Sequence, residues 1–214
     1  MLKGAIFDLD GTILDSMFIW DTVGEDYLRS LGKEPREVLK ETFMTLTLEE
    51  AAEYYREHYG VTLSVKEIVD GVNAMVEEIY RTKVTLKSGI SDYLCRLKDN
   101  GVRMCVATVT DRYLVEDTLE RLGILHCFSK IFTCAEVGFG KDKPIIYRKA
   151  LEYLGTPKEE TFVFEDSLFA LKTAKADGFN TVGVYDKHES RQDELKSLAD
   201  YYISDYKDHI LKTI

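Results

Sequence analysis

The chain has 214 residues, room for one large domain or one domain with an insertion, and its 45% hydrophobic and 31% charged residues exclude a disordered chain. Its net charge of -10 repels nucleic acid and anionic membranes, so any phosphate-bearing ligand needs positive charge supplied locally. No apolar run approaches the ~18 residues of a membrane span, and Lys3 leads straight into the first strand without a signal peptide's apolar segment, so a cytoplasmic location is expected.

The first element is the apolar strand Gly4 to Phe7, of the kind buried in a parallel sheet, and it stops at Asp8-Leu9-Asp10-Gly11-Thr12. Ligands of open α/β sheets bind beyond the carboxyl ends of strands, which places Asp8 and Asp10 at that edge. Two carboxylates so close raise each other's pKa unless a cation or hydrogen bonds intervene. Mg²⁺, which takes one or two carboxylates together with phosphate oxygens and water, answers that requirement. Gly11 allows a tight turn and Thr12 can hydrogen-bond the loop. A calcium-binding EF-hand is excluded, because Gly11 follows Asp8 too soon.

Next comes helical text. Trp20, Val23, Tyr27, Leu28 and Leu31 share one helix face, and Gly32 is a plausible stop. Thr47 with Glu50 and Ser64 with Glu67 are capping boxes, the first opening a helix that ends near Gly60 and the second a helix with a stripe of Ile68, Val72 and Val76. From about residue 17 to residue 87 the chain reads as helices without a strand.

Strands and helices then alternate. Ile90, Leu94 and Leu97 predict a helix ending at Gly101, and a strand over 102–107 delivers Thr108 to its end. A helix over 111–122 and a strand over 130–133 precede the loop Gly138-Phe139-Gly140-Lys141-Asp142-Lys143-Pro144. Pro144 suits the first position of a helix carrying Ile146, Ala150, Leu151 and Leu154. The strand 161–164 ends in Glu165-Asp166, with Ser167 as N-cap of the next helix, and the last strands lie at 181–184 and 201–203. The alternation implies an α/β fold with right-handed crossovers and a parallel sheet covered on both faces. The expected division is a core of residues 1–15 and 88–214 and an all-helical insertion of residues 16–87.

Cys95, Cys105, Cys127 and Cys134 contain no Cys-x-x-Cys pair and are expected as free thiols. His58, His126, His188 and His209 are too scattered for a zinc site. Asp8, Asp10, Thr108, Lys141, Glu165 and Asp166 converge on one sheet edge, offering metal ligands, a phosphate hydrogen bond and a compensating cation. Other phosphate chemistries fail on spacing. A P-loop fails at Lys141, where Ala135 stands for the first glycine and Asp142 for the hydroxyl residue, and Cys105 reaches Arg112 one residue too late for a tyrosine-phosphatase loop.

Across the whole chain these residues resemble the four motifs of the haloacid dehalogenase superfamily of phosphohydrolases, most closely the β-phosphoglucomutase-like branch with a helical cap. The resemblance implies a Rossmann-like three-layer core with an inserted all-helical cap domain. It implies a Mg²⁺-dependent phosphatase acting on a small phosphorylated metabolite, a sugar phosphate or a nucleotide-like ester. Asp8 would attack phosphorus and carry an aspartyl phosphate, and Asp10 would be general acid and base. Asp8, the Asp10 backbone carbonyl and Asp166 would hold the metal, Thr108 and Lys141 would bind phosphate, and Gly11, Thr12 and Glu165 would support them.

Two departures stand out. The family's third-motif loop reads Gly-Lys-Pro-x-Pro-Asp, whereas Asp142 and Ile145 here replace its first proline and its aspartate, which makes Lys143 a rival to Lys141. The mutase's cap-hinge histidine is matched by Trp20, which cannot exchange a proton near neutral pH, so a phosphomutase ranks second. Trp20 is instead expected to wall the substrate pocket. A reading of another class is a phospho-accepting signalling module like response-regulator receivers, which has no need of the helical insertion. A monomer without nucleic-acid or membrane partners is expected.

Overall fold

The computed structural model describes residues 2–43 and 46–207. The chain divides into two compact units, one built from residues up to Ser16 and from Val84 onwards, the other from Met17–Lys83.

In the first unit, β1 (Gly4–Phe7) leads through the acidic loop to the two-residue β2 (Leu14–Asp15). The second unit holds α1 (Ile19–Ser30), α2 (Leu39–Phe43), α3 (Leu48–Tyr59) and α4 (Val65–Thr82). Both capping boxes form, at Thr47 with Glu50 and at Ser64 with Glu67, so orphan N–H groups at the starts of α3 and α4 are satisfied locally. Gly60 caps α3 in the left-handed region, with φ 62°. Gly71 lets α4 approach α1, since a Cβ there would lie 2.4 Å from the Tyr27 hydroxyl.

The chain re-enters the first unit through β3 (Thr85–Leu86), antiparallel to β2. The expected strand-free run over 17–87 is corrected here, because two residues have no period for a sequence pattern to reveal. Beyond it come α5 (Ile90–Asp99), β4 (Arg103–Thr108), α6 (Arg112–Arg121), β5 (Lys130–Thr133), α7 (Cys134–Val137) and α8 (Ile145–Leu154). They are followed by β6 (Thr161–Glu165), α9 (Leu168–Ala176), β7 (Asn180–Val184), α10 (Gln192–Leu198) and β8 (Tyr201–Ile203). The short helices α2, α7 and α10 lack a readable apolar stripe. Pro144 is the N-cap of α8 instead of its first residue, and Ser167 is the N-cap of α9 without a side-chain bond.

Six strands form one parallel sheet in the order β5-β4-β1-β6-β7-β8. From β1 the chain moves outward through β4 to β5, then crosses back to β6 on the other side of β1. The order reverses between β1 and β6, so the loops leaving these two strands diverge and open a crevice at their carboxyl ends. Helices bury both faces. Ile6, Cys105 and Val163 pack with Ile146, Tyr147 and Ala150 of α8, while Phe7 stacks on Phe164 at 4.2 Å and Tyr93 of α5 meets Phe164 edge-on. This two-sided burial is why β1 is apolar throughout. Gly183 in β7 admits α10, as a Cβ there would lie 2.5 Å from Leu195 Cδ2.

No helix among the described residues is long and apolar enough to cross a membrane. The four cysteines are free. His209 lies outside the described residues, and the other histidines join no cluster of three metal-ligating side chains among those described.

Tyr93 is fully buried, and its hydroxyl has no hydrogen-bond partner among the described residues. An unmade buried hydrogen bond costs about 1–3 kcal/mol. Tyr93→Phe is therefore expected to keep the fold and raise the unfolding free energy in urea by about 1 kcal/mol. A clear loss of stability would mean that the hydroxyl is satisfied.

Candidate active site

β1 and β6 run in register, with Phe7 opposite Phe164, and the Asp8 N–H extends their ladder by donating to the Phe164 carbonyl at 2.9 Å. Asp8 is thus the first side chain past the switch point. Gly11, at φ 78°, turns the chain back so that the Ile13 and Leu14 N–H groups both reach the Leu9 carbonyl. The Thr12 hydroxyl then donates to Asp166 Oδ1 at 3.1 Å, tying the loop after β1 to the loop after β6. The Tyr206 hydroxyl holds the Thr12 carbonyl at 3.0 Å.

Lys141 reaches the same point from the loop before α8. Its buried ammonium donates to Asp8 Oδ1 and, at 2.6 Å, to Glu165 Oε1. Lys143 is exposed, with its ammonium 4.6 Å from the centre of the Phe139 ring. Geometry therefore brings Lys141 to Asp8 and leaves Lys143 outside. Asp10 receives one hydroxyl on each oxygen, Ser16 on Oδ1 and Thr110 on Oδ2, both at 2.6 Å. Thr108 is buried at the end of β4, and its hydroxyl oxygen accepts the Thr110 N–H at 3.1 Å.

The electrostatics follow from burial. Desolvation pushes the Asp8 carboxyl up to about 7, with Glu165 and Asp10 adding repulsion and Lys141 opposing the rise. Asp166 is driven well above the carboxylate range by burial, then by Asp8, Glu165 and Asp186. For Lys141, burial disfavours the charge, but Asp8 and Glu165 outweigh it and hold the ammonium protonated beyond its ordinary range.

Asp8, Glu165 and Asp166 are all buried and each offers an oxygen, the three lying within 4.8 Å of one another. Lys141 neutralises one of these three carboxylates, and the remaining two negative charges match one divalent cation. An all-oxygen donor set suits a hard ion. The residues therefore fit a divalent metal. The Asp10 carboxylate is not one of this group.

Several partners escaped the sequence reading. Ser16 and Thr110 hold Asp10, Tyr147 donates to Glu165 Oε1 at 2.7 Å, and Lys87 pairs with buried Asp186 at 2.7 Å. Thr110 lies two residues past Thr108, a proximity that could have flagged it. Tyr147 gives no signal, since it reads as one more apolar position of α8. In the helical unit Trp20 is 47% exposed, so it is no core anchor. It lines a cavity of about 430 Å³ with Val23, Phe43, Leu46, Tyr55 and Val72.

A family model described as haloacid dehalogenase-like hydrolase matches residues 5–184. The protein CbbY of Rhodobacter capsulatus is 31% identical over 95% of this chain and 93% of its own. A probable pseudouridine-5'-phosphatase of Drosophila melanogaster is 30% identical over 92% and 90%. A solved β-phosphoglucomutase candidate from Thermotoga maritima shares the fold, with a TM-score of 0.88 at 23% identity over 100% of both chains. The chain belongs to the haloacid dehalogenase-like hydrolase family, and it is a phosphohydrolase of that family.

Proposed function

We propose that this phosphohydrolase is a Mg²⁺-dependent phosphatase that cleaves a small phosphorylated metabolite, a sugar phosphate or a nucleotide-like ester, through an aspartyl phosphate on Asp8. The observation that carries this reading is a buried carboxylate at the switch point, paired with Lys141 and flanked by the acids at the end of β6. The Drosophila relative, named as a probable pseudouridine-5'-phosphatase, supports the nucleotide-like end of that range.

An Asp8 oxygen attacks phosphorus and the ester oxygen departs with a proton from Asp10. Asp10 then takes a proton from water, whose oxygen attacks the same phosphorus and frees Asp8 and phosphate. Lys141 opposes the rise that burial imposes on Asp8 and balances charge on the phosphoryl group. The Thr108 oxygen already accepts the Thr110 N–H, so its own proton is left to donate to a phosphoryl oxygen. Ser16 and Thr110 fix the Asp10 carboxylate, and Gly11 and Thr12 shape the loop that follows the two acids. Mg²⁺ held by Asp8, Asp166 and the Asp10 backbone carbonyl would neutralise the phosphoryl oxygens. Glu165 is assigned to Lys141 by its contact and supports the site from there.

We read the helical unit as the family's cap and its Trp20-lined cavity as the source of selectivity. A phosphomutase is disfavoured by Trp20 in place of a proton-exchanging histidine.

Asp8→Asn is expected to abolish turnover of p-nitrophenyl phosphate in a protein that still folds, and beryllium fluoride should form its adduct on Asp8 in the wild type. Wild-type turnover by the folded variant would rule out this nucleophile. A second expectation concerns pH. Asp8 and Asp166 have folded-state pKa values above those of the unfolded chain, so from about pH 4 to about pH 7 the metal-free folded state binds more protons. Their contribution to stability therefore falls as pH rises through that window. Saturating Mg²⁺ should raise Tm by several degrees at about pH 8 and much less at about pH 5, where protons already neutralise these carboxylates. Asp166→Asn should remove most of the rise, whereas an equal rise at both pH values would contradict the assignment. Third, Trp20→Ala should change the ranking of phosphorylated substrates in kcat/KM by about tenfold, with little change in Tm because the ring is half-exposed. An unchanged ranking over a metabolite panel would remove Trp20 from the pocket.

A further inference from the structure

Tyr147 lies in the first turns of α8, and its ring is fully buried in the sheet-facing core with Ile6, Val163 and Ala174, edge-on to Phe179 at 6.2 Å. The ring cannot swing, so its hydroxyl has one address. That address is Glu165 Oε1, at 2.7 Å, the same oxygen that accepts Lys141 at 2.6 Å. Burial and the adjoining Glu165 charge push the phenol well above its ordinary pKa, so it serves here as a donor. A phenylalanine would fill the same space without a polar atom to satisfy, and Lys141 by itself already meets this oxygen. Packing therefore does not account for the hydroxyl.

Its effect on the charge cluster does. Lys141 is shared between Asp8 and Glu165, both buried carboxylates, and it sits nearer to whichever draws it more strongly. A hydrogen bond from a neutral donor satisfies part of the charge on Glu165 Oε1 and weakens that oxygen's pull on the ammonium. We propose that Tyr147 is a positioning residue for Lys141: by donating to Glu165 it keeps the Lys141 ammonium at Asp8, where the phosphoryl group is bound. This rests on Lys141 serving phosphate as proposed above. Without the hydroxyl, Lys141 retreats toward Glu165 and the phosphate site loses part of its positive charge.

The test is a double-mutant cycle of Tyr147→Phe and Glu165→Gln in the full-length chain with Mg²⁺. The readouts are inorganic phosphate binding by titration calorimetry, kcat for p-nitrophenyl phosphate, and Tm. Tyr147→Phe is expected to weaken phosphate binding and lower kcat by about tenfold, the low end for a hydrogen-bond partner behind a site residue, with Tm within about 2 °C of wild type. In the Glu165→Gln background the same change should alter phosphate binding by less than about twofold, because the charge that Tyr147 tempers is gone. Glu165→Asp, whose shortened carboxylate withdraws from the hydroxyl, gives a second background with the same expectation. Unchanged phosphate affinity in Tyr147→Phe, an equal loss in all backgrounds, or a wild type that binds no phosphate would each overturn the proposal. Coupled phosphate binding without turnover of p-nitrophenyl phosphate would uphold it and count against the phosphatase reading alone.

Discussion

The constraint on which the site depends is the burial of charge. Asp8, Lys141 and Glu165 are 6%, 7% and 1% exposed, so none can rely on water for its solvation. Removing one partner of such a buried pair typically costs about 3–5 kcal/mol, because the charge left behind has no substitute. Three segments far apart in sequence must therefore arrive together: the end of β1, the loop before α8 and the end of β6. The reversal of strand order between β1 and β6 makes this possible, since only there do two parallel strands send their following loops apart.

Around that pair the site is held by neutral donors. Hydroxyls of Ser16 and Thr110 meet Asp10, Thr12 meets Asp166, and Tyr147 meets Glu165. Each donates, which is what an ionised carboxylate requires, and none adds charge of its own. The cluster nevertheless remains short of positive charge, since burial and mutual repulsion drive the Asp8 and Asp166 carboxyls up even beside Lys141. A buried carboxylate poised in this way gains as an anion when a cation joins it. That responsiveness is characteristic of catalytic groups, which need a pKa near the working range.

The helical unit is built on different physics. It has its own buried residues, Tyr55, Ile68 and Tyr80 among them, and the starts of α3 and α4 are secured within four residues of sequence by the two capping boxes. The sheet unit has few such local devices and relies on non-local packing across both faces. Close approach is arranged with glycine in both, at Gly71 against Tyr27 and at Gly183 against Leu195.

How much was legible follows from the range of each interaction. The apolar strand before Asp8-Leu9-Asp10-Gly11-Thr12, the two capping boxes and the alternation of strands with helices are short-range patterns, and the amino-acid sequence by itself determined them. Parallel strands deliver their following residues to one edge, so it also assigned Asp8, Asp10, Thr108, Glu165 and Asp166 to one edge, with Lys141 and Lys143 as rivals from the loop before α8. Strands of two residues and helices of four to seven have too few positions for a period, so β3, α2, α7 and α10 were not readable. Only the tertiary structure decided between Lys141 and Lys143, because the choice depends on which ammonium enters the cluster and which stays outside over Phe139. It alone joined Ser16 and Thr110 to Asp10 and Tyr147 to Glu165. A hydroxyl's partner is set by where its backbone is carried in space, and no local pattern records a contact made across the fold.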